Sequence, residues 1–309
     1  HGGLFRCAVS SGGERVNSRW MIDQGRTVLT AGAVLAVLLL AGGWLFSHPM
    51  SVSANQSVIL LPAAMYHSVT DAGDSPAQYV ISPSMLESDL QYLQAHGRET
   101  VTIHDLLAYV QDGAALPEKP VLLTFDDGYY NNYKYAYPLL KQYGMQAVLS
   151  PVASLTERFS QTDEAEQEAW SYCTGRELRE MADSGVFEMQ NHSYDFHELK
   201  PRKGCLRMAG ETAAAYRQCF LSDTQRAQDL FVSLGIEAPV CYTYPYGAVN
   251  AEAEALTAVC GFSVTLRCEE GVTALTRDTA CLQGIRRNNR DGRWSSEQFW
   301  DALLAQTEG

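Results

Sequence analysis

Basic residues are scarce in this sequence. Lysine and arginine number 23 against 36 aspartates and glutamates, which gives a formal net charge of −13 at pH 7. A balance this acidic argues against nucleic acid or an anionic lipid surface as a partner. The sequence also has no internal repeat, no low-complexity tract and no Cys-x-x-Cys pair. The absence of that pair argues against a structural zinc ion held by cysteines.

Lysine and arginine are absent between Arg26 and Arg98, and an uncharged apolar run fills residues 28–46 of this gap. The run is long enough to cross a bilayer as a helix. Because arginines precede it, the positive-inside bias keeps the N-terminus in the cytoplasm and exports everything after the run. We therefore predict a single-pass protein of the cell membrane whose larger part faces outward.

The chain divides into a cytoplasmic segment, a transmembrane signal anchor, a linker and one large domain, at residues 1–26, 27–47, 48–57 and 58–309. The large domain is long enough to bury a single core. The chain begins at His1, so Met21 is an alternative start. Cleavage after Ala54, where small residues suit a signal peptidase, would make the protein secreted instead. The sequence predicts no oligomeric state.

Seven of the eight cysteines follow the apolar run. An oxidising exterior permits disulfides there. An odd number leaves one thiol unpaired, and connectivity cannot be deduced from sequence. The candidate pairs closest in sequence are Cys205 with Cys219 and Cys268 with Cys281.

Two adjacent carboxylates follow an apolar, β-branched run at 121–125. The run has the length of a parallel strand buried on both faces, and Asp126-Asp127-Gly128 is a turn sequence that ends it. Carboxylates placed side by side repel each other, and a metal cation or a shared proton is the usual resolution. A solvated turn is the alternative.

Histidine is rare, with seven in the chain and none after His197. His192 follows another apolar run, and the five-residue step to His197 corresponds to roughly 140° on a helix, so the two cannot share a helix face. In a loop after a strand the two imidazoles can meet. Two histidines and an aspartate are the usual ligands of a divalent ion that keeps open positions, although histidines in loops are more often surface residues.

Strand patterns alternate with helix patterns throughout the large domain. This order predicts an α/β fold with a mostly parallel sheet or barrel and with functional residues at the carboxyl ends of strands. Asp126, Asp127, His192 and Tyr246 all fall at such ends. The spacing alone does not separate a barrel from an open sheet.

The sequences Thr-Phe-Asp-Asp-Gly at 124–128 and Asn-His-Ser-x-x-x-His at 191–197 resemble those of the polysaccharide deacetylase family, metal-dependent esterases that remove N-acetyl groups from amino-sugar polymers. The resemblance covers about 59–290, and so nearly all of the large domain, and implies a distorted (β/α) barrel. It implies that Asp126 is the catalytic base. The implied ligands of a divalent ion, zinc first and cobalt or another ion as alternatives, are Asp127, His192 and His197.

The five-residue histidine spacing is similar to that of the poly-N-acetylglucosamine deacetylases. The same resemblance implies that the backbone N–H of Tyr246 helps to hold the oxyanion. Many relatives have a catalytic histidine near the C-terminus, which this chain lacks. His67, in a Met-Tyr-His sequence that ends the first predicted strand, is the implied general acid in its place.

One family position is changed in this chain. Many relatives carry an arginine two residues before the proline of the Tyr-Pro-Tyr-Gly sequence at 244–247, where it orients the base, and this chain has Thr243. Arg287, or else its neighbour Arg286, is the candidate replacement.

The activity implied is metal-dependent hydrolysis of N-acetyl groups on peptidoglycan or an exopolysaccharide, with release of acetate. The partners would be an N-acetylated polysaccharide and, through the N-terminal helix, the cytoplasmic membrane. Two alternatives stay open. One is a catalytically silent wall-binding protein on the same fold, which Thr243 and the missing late histidine favour. The other is a metal amidase acting on another cell-wall amide.

Overall fold

The computed structural model describes residues 58–72, 76–162 and 165–307. The predicted cytoplasmic segment, signal anchor and linker lie outside these residues. Within the described ranges, no helix combines the length and the apolar character needed to cross a bilayer.

Most strands of the described residues are short. They are β1 Ile59–Leu61, β2 Ala63–Tyr66, β3 Ser68–Val69, β4 Val80–Ile81, β5 Glu99–Val101, β6 Pro120–Asp127, β7 Ala147–Pro151, β8 Phe187–Met189, β9 Cys241–Thr243, β10 Val264–Leu266, β11 Thr273–Leu275 and β12 Asn288–Asn289. The first predicted strand is thus divided in two at Pro62, a residue that cannot donate a ladder hydrogen bond.

Strand β6 lies at the centre of a parallel sheet. The strand order is β12-β2-β6-β7-β8, and β5 also pairs with β6. Every residue of β6 is buried, as expected for a parallel strand that is covered on both faces. Its side chains alternate, so that Leu122 packs into one apolar cluster and Leu123 into another.

Single parallel bridges continue this sheet. Strands β9 and β10 pair in parallel, and bridges join Asn191 to Tyr242 and Leu266 to Ile285. The series of neighbouring strands therefore runs from β12 through β2, β6, β7, β8, β9 and β10, and it returns to the residues just before β12. This irregular closed wall brings the carboxyl ends of its parallel strands to one rim.

The α-helices of the described residues surround this wall. They are α1 Pro83–Ala95, α2 Ile103–Leu107, α3 Tyr137–Tyr143, α4 Ala153–Phe159, α5 Gly175–Asp183, α6 Ala213–Ser233, α7 Ala251–Val259 and α8 Ser296–Leu304. Helix α4 occupies the first part of residues 153–172. A π-helical turn, Asn132–Ala136, precedes α3, so residues 132–143 do not form one regular α-helix.

Local sequence signals account for the helix starts. Ser82 accepts a hydrogen bond from the N–H of Met85 at 3.1 Å, with Pro83 at the first helical position. Thr174 and Glu177 form the capping box that their spacing predicts. These caps fix where α1 and α5 begin, and α5 in turn leads into β8.

All seven cysteines of the described residues are free thiols, so neither candidate disulfide is formed. Cys205 is buried and donates to the carbonyl of Ala248, whereas Cys219 is exposed. Cys268 lies against Met65 and Cys281 against Thr276. Each thiol has its own neighbours, and closeness in sequence does not bring the pairs together.

Candidate metal centre and active site

Three strained turns meet at the carboxyl rim of the sheet. Among the described residues, the non-glycine positions with positive φ are Asp127 and Ser193 at 70°, Tyr246 at 58° and Glu166 at 70°. Asp127 is the last residue of β6, and Ser193 and Tyr246 follow β8 and β9. A residue in this region costs about 1–3 kcal/mol, and such strain is concentrated at functional sites. Strained backbone is therefore concentrated at this rim, as expected at a functional site.

The carboxylate of Asp127 lies between the two histidines. Its Oδ1 is 3.4 Å from Nε2 of His192 and 3.0 Å from Nε2 of His197. One ligand atom from each residue lies within 4.8 Å of the others. The side chains of Asp127 and His192 are buried, whereas that of His197 is 20% exposed. The cluster therefore opens to solvent on the side of His197.

A backbone carbonyl orients His192. Its Nδ1 donates to the carbonyl oxygen of Thr243 at 2.8 Å. This bond keeps a proton on Nδ1 and turns Nε2 towards Asp127. Burial opposes protonation of His192, but the hydrogen bond to Asp127 and the charges of Asp126 and Asp127 outweigh it and raise the pKa of the imidazole. Thr243 thus contributes to the site through its carbonyl group.

Asp126 has a different partner from its neighbour. Arg287 donates from Nη1 to Oδ1 at 2.6 Å and from Nη2 to Oδ2 at 2.8 Å. Both side chains are buried. Burial alone would raise the pKa of Asp126, but the charge of Arg287 outweighs it and holds that pKa below its usual value. Arg286 instead points to Glu269 on the surface, so of the two candidate arginines the structure brings only Arg287 to the base.

Opposing effects also act on Asp127. Burial would raise the pKa of its carboxyl group, whereas the hydrogen bonds from His192 and His197 lower it well below the usual value. The two adjacent acids are therefore both anionic at neutral pH. Asp127 contacts the two histidines, whereas Asp126 is paired with Arg287.

His67 lies beside the acid pair because β2 runs parallel to β6 with Tyr66 opposite Phe125. Its ring contacts Tyr79 edge-on at 4.8 Å, and its Nδ1 is buried without a protein hydrogen-bond partner. Burial lowers the pKa of His67, although the charges of Asp126 and Asp127 oppose that effect. The site thus contains a third histidine whose ring nitrogen has an unused hydrogen-bonding capacity.

Tyr246 contacts a candidate ligand through its side chain. Its ring stacks on His197 at 4.6 Å between centroids, and its hydroxyl donates to the carbonyl oxygen of His197 at 3.1 Å. The side chain is also 41% exposed at the rim. The sequence pointed to the backbone N–H of Tyr246, but its contact with His197 carried no signal in the motif.

The residues fit a divalent ion. A carboxylate and two imidazole nitrogens are the ligands that zinc and similar ions prefer in sites with open positions. The strongest sign of fit is the bond from His192 to Thr243, because it fixes the tautomer that leaves Nε2 to serve as a ligand once it loses its proton.

Known proteins are similar to this chain in sequence and in fold. A family model described as polysaccharide deacetylase matches residues 113–265. The chain belongs to the polysaccharide deacetylase family. YxkH of Bacillus subtilis, a protein named after that family, is 27% identical over 227 residues, which are 73% of this chain and 71% of the relative. The poly-β-1,6-N-acetyl-D-glucosamine N-deacetylase of Escherichia coli K12 is 25% identical over 246 residues, which are 74% of this chain but only 36% of the relative.

A solved de-N-acetylase from Aggregatibacter actinomycetemcomitans has the same fold, with a TM-score of 0.65 and 23% identity over 79% of this chain and all of the other. The family match and the relatives in sequence indicate that this polysaccharide deacetylase is an enzyme. The resemblance recognised from the acid pair and the histidines is confirmed.

One further residue supports the histidine loop of this polysaccharide deacetylase. Asp223, on α6, accepts hydrogen bonds from the N–H groups of Tyr194 at 2.9 Å and Asp195 at 2.8 Å. Burial raises the pKa of Asp223 to about 6, although these two N–H groups lower it. Sequence reasoning missed Asp223, because a single acid within a long helix has no local pattern.

Aromatic side chains surround the deacetylase site. Tyr129 stacks on Tyr172 at 4.8 Å, and burial together with the charge of Asp127 raises the pKa of both. Tyr79 and Tyr246 cover His67 and His197. Of the tyrosines that follow the acid pair, Tyr129 faces the site. Others further along stack on one another, as a helix face predicts.

Proposed function

We propose that this protein is a metal-dependent N-deacetylase of an amino-sugar polymer, and that poly-β-1,6-N-acetylglucosamine is the first substrate to test. The observation that carries the proposal is that two adjacent carboxylates have different partners. Asp127 lies with two histidines that suit a metal ion, while Asp126 is held by Arg287. The N-deacetylase from Escherichia coli supports the choice of polymer, although the chain spans only about a third of its length.

Asp127, His192 and His197 would hold the ion. When bound, a divalent ion supplies Lewis acidity that polarises an acetamide carbonyl and makes water more acidic. Zinc comes first because of the two imidazole ligands, and cobalt or another divalent ion would suit the same donors.

The other residues of the site have separate tasks. Asp126 accepts the proton of the attacking water, and Arg287 keeps that carboxylate oriented. His67 donates a proton to the departing sugar amine. The backbone N–H of Tyr246 stabilises the oxyanion, and the aromatic rings around the site contact the sugar.

The place of action is a separate part of the proposal. The apolar run at 28–46 and the arginines before it support a membrane-anchored protein whose deacetylase domain lies outside the cell. Cleavage after Ala54 would give a secreted enzyme that reaches the same polymers. Cell fractionation with protease protection of intact cells distinguishes exported from cytoplasmic protein.

Acetate release tests the activity. Purified protein is incubated with N-acetylglucosamine oligomers of β-1,6 linkage, with chitooligosaccharides and with peptidoglycan. We expect acetate from at least one substrate, loss of activity with a chelator and recovery after a divalent metal is added. The variant Asp127→Ala should stay inactive after metal addition, while Arg286→Ala serves as the active control.

The products decide between this activity and its rivals. Loss of one acetyl mass per modified sugar means deacetylation, whereas cleavage of a peptide from glycan means a cell-wall amidase. Saturable binding of an N-acetylated polymer without acetate release under any metal condition would instead identify a silent binding protein.

A further inference from the structure

An exposed tryptophan lies close to the proposed deacetylase site. Trp170 is 46% exposed and precedes Tyr172, whose ring stacks on Tyr129. Phe159, at the end of α4, is buried and contacts both rings, at 5.8 Å from Trp170 and 5.6 Å from Tyr172. A continuous row of aromatic rings therefore leads from the residues beside Asp127 out to Trp170.

The segment that carries Trp170 is held in place. The hydroxyl of Ser171 donates to the carbonyl of Gln167 and accepts from its N–H, both at 2.8 Å. Asn131, which is fully buried, donates to the carbonyl of Glu168 at 2.9 Å, and Lys134 and Tyr135 bind the Glu168 carboxylate. A loop with this many bonds presents Trp170 in a fixed position.

The same segment is tied directly to the acid pair. The N–H of Cys173 donates to the carbonyl of Gly128 at 2.8 Å, and the N–H of Tyr130 donates to the carbonyl of Ser171 at 2.9 Å. Gly128 is the residue after Asp127. The position of Trp170 is therefore fixed relative to the metal site, and a ligand that contacts both pays little ordering entropy in the protein.

The surroundings indicate what this ring binds. Glu166 and Glu168 lie on the same segment and pair with Arg176 and Lys134, so the balanced charges beside Trp170 favour a neutral ligand over an anionic one. A pyranose ring presents an apolar C–H face that packs on an aromatic ring, and a sugar that has already lost its acetyl group carries a cationic amine, which aromatic faces attract.

We propose that Trp170 is a distal platform for another sugar ring of the same polymer chain whose acetamide lies at the metal site. This inference rests on the proposed deacetylase function and extends it to substrate length. Short oligomers reach only the metal site, whereas longer ones also contact Trp170. The enzyme therefore prefers longer chains.

Kinetics as a function of chain length test this inference. Initial rates are measured for wild type, Trp170→Ala and Trp170→Phe on a disaccharide and on oligomers of increasing length. For Trp170→Ala we expect KM on long oligomers to rise about tenfold, kcat to stay within about twofold and the disaccharide kinetics to be unchanged. Trp170→Phe should recover most of the lost affinity.

Trp294 provides a matched control. It is 48% exposed and shares no ring contact with this row among the described residues. Trp294→Ala should keep wild-type KM at every length. Isothermal titration with a fully deacetylated oligomer gives a readout without turnover, and Trp170→Ala should weaken this binding by the same factor.

The outcomes separate the two proposals. If wild type releases no acetate at any length, the proposed function fails and the platform has no substrate. If wild type is active but Trp170→Ala keeps its KM for long oligomers, only the platform is overturned. It is also overturned if Trp170→Ala keeps its KM but loses binding to vesicles of anionic lipid, because the ring then faces a membrane.

Discussion

Arg287 binds Asp126 through two parallel hydrogen bonds between buried side chains. The guanidinium also donates to Thr124 on the same strand at 3.1 Å. This arginine comes from the chain just before β12, next to β2 in the sheet, and so reaches the base from another side than Thr243. Asp126 therefore has a cationic partner, although this chain has Thr243 at the position where many relatives carry the arginine.

We expect Arg287→Ala to lower the free energy of unfolding by about 3–5 kcal/mol, because it leaves the buried charge of Asp126 without a partner. Arg287→Lys should keep part of the stability but little activity, since an ammonium cannot make both bonds. Urea denaturation and acetate release measure the two effects. The control Arg286→Ala removes only an exposed ion pair and should cost less than about 1 kcal/mol. Equal losses for both arginines would contradict the role of Arg287.

The two acids should respond differently to substitution. Asp126→Asn should retain metal at the wild-type stoichiometry and lose about 10²-fold or more in kcat, because it removes the proton acceptor. Asp127→Asn should lose the metal itself. Elemental analysis after dialysis, together with kinetics at saturating metal, measures both. Loss of metal from Asp126→Asn would show that the roles are not divided between the acids in this way.

Metal affinity should fall on acidification. His192 must give up the Nε2 proton to bind an ion, and its pKa is raised in the metal-free protein. Protons therefore compete with metal up to a higher pH than for an ordinary histidine, and below that pKa the affinity should fall about tenfold per pH unit for each proton displaced. Competition with a chelator at a series of pH values measures this slope. An affinity that does not change across the acidic range would refute it.

His67 should affect turnover and not metal binding. We expect His67→Ala to keep its metal and to lower kcat about 10²-fold or more, as removal of a general acid does. The pKa of His67 is lowered, so loss of its proton should set the alkaline limb of the rate profile, and that limb should disappear in the variant. His96→Ala, at an exposed histidine, is the control. Unchanged kcat in His67→Ala would remove this residue from the mechanism.

The acid pair, the two histidines and the strand that carries Asp126 could be predicted because each is a short pattern with one physical cause. A buried run followed by charge indicates a strand end, and the capping box at Thr174 indicates a helix start. The partners of these residues could not be predicted this way. Arg287 reaches Asp126 across 161 positions of sequence, and which of two adjacent arginines turns inward depends on the path of the chain before β12.

Irregular backbone was also beyond the sequence patterns. After the acid pair, the side chain of Asn132 donates to the carbonyl of His67 at 2.8 Å, and the chain there forms a π-helical turn. The candidate disulfides failed for a related reason. Distance along the sequence says little about cysteine pairs whose positions depend on separate loops and helices.

Asp223 provides the last prediction. Its carboxylate holds the backbone between His192 and His197 through two N–H groups, and α6 anchors it outside the cluster. Asp223→Asn replaces one acceptor oxygen with a donor that faces an N–H group, so the loop must shift. We expect metal affinity to fall about 10–100-fold, as for other residues that orient metal ligands. At saturating metal, kcat should recover to near wild type.

The same helix offers a control for that change. Asp229 is exposed and accepts from Gln225, four residues earlier on α6, at 2.8 Å. Asp229→Asn makes the same chemical substitution without touching the histidine loop, and its metal affinity should match wild type. A purely structural role for Asp223 would lower the melting temperature and leave the metal dissociation constant of the folded protein unchanged. A shifted dissociation constant in Asp223→Asn alone shows that the carboxylate holds the histidine loop in its metal-binding conformation.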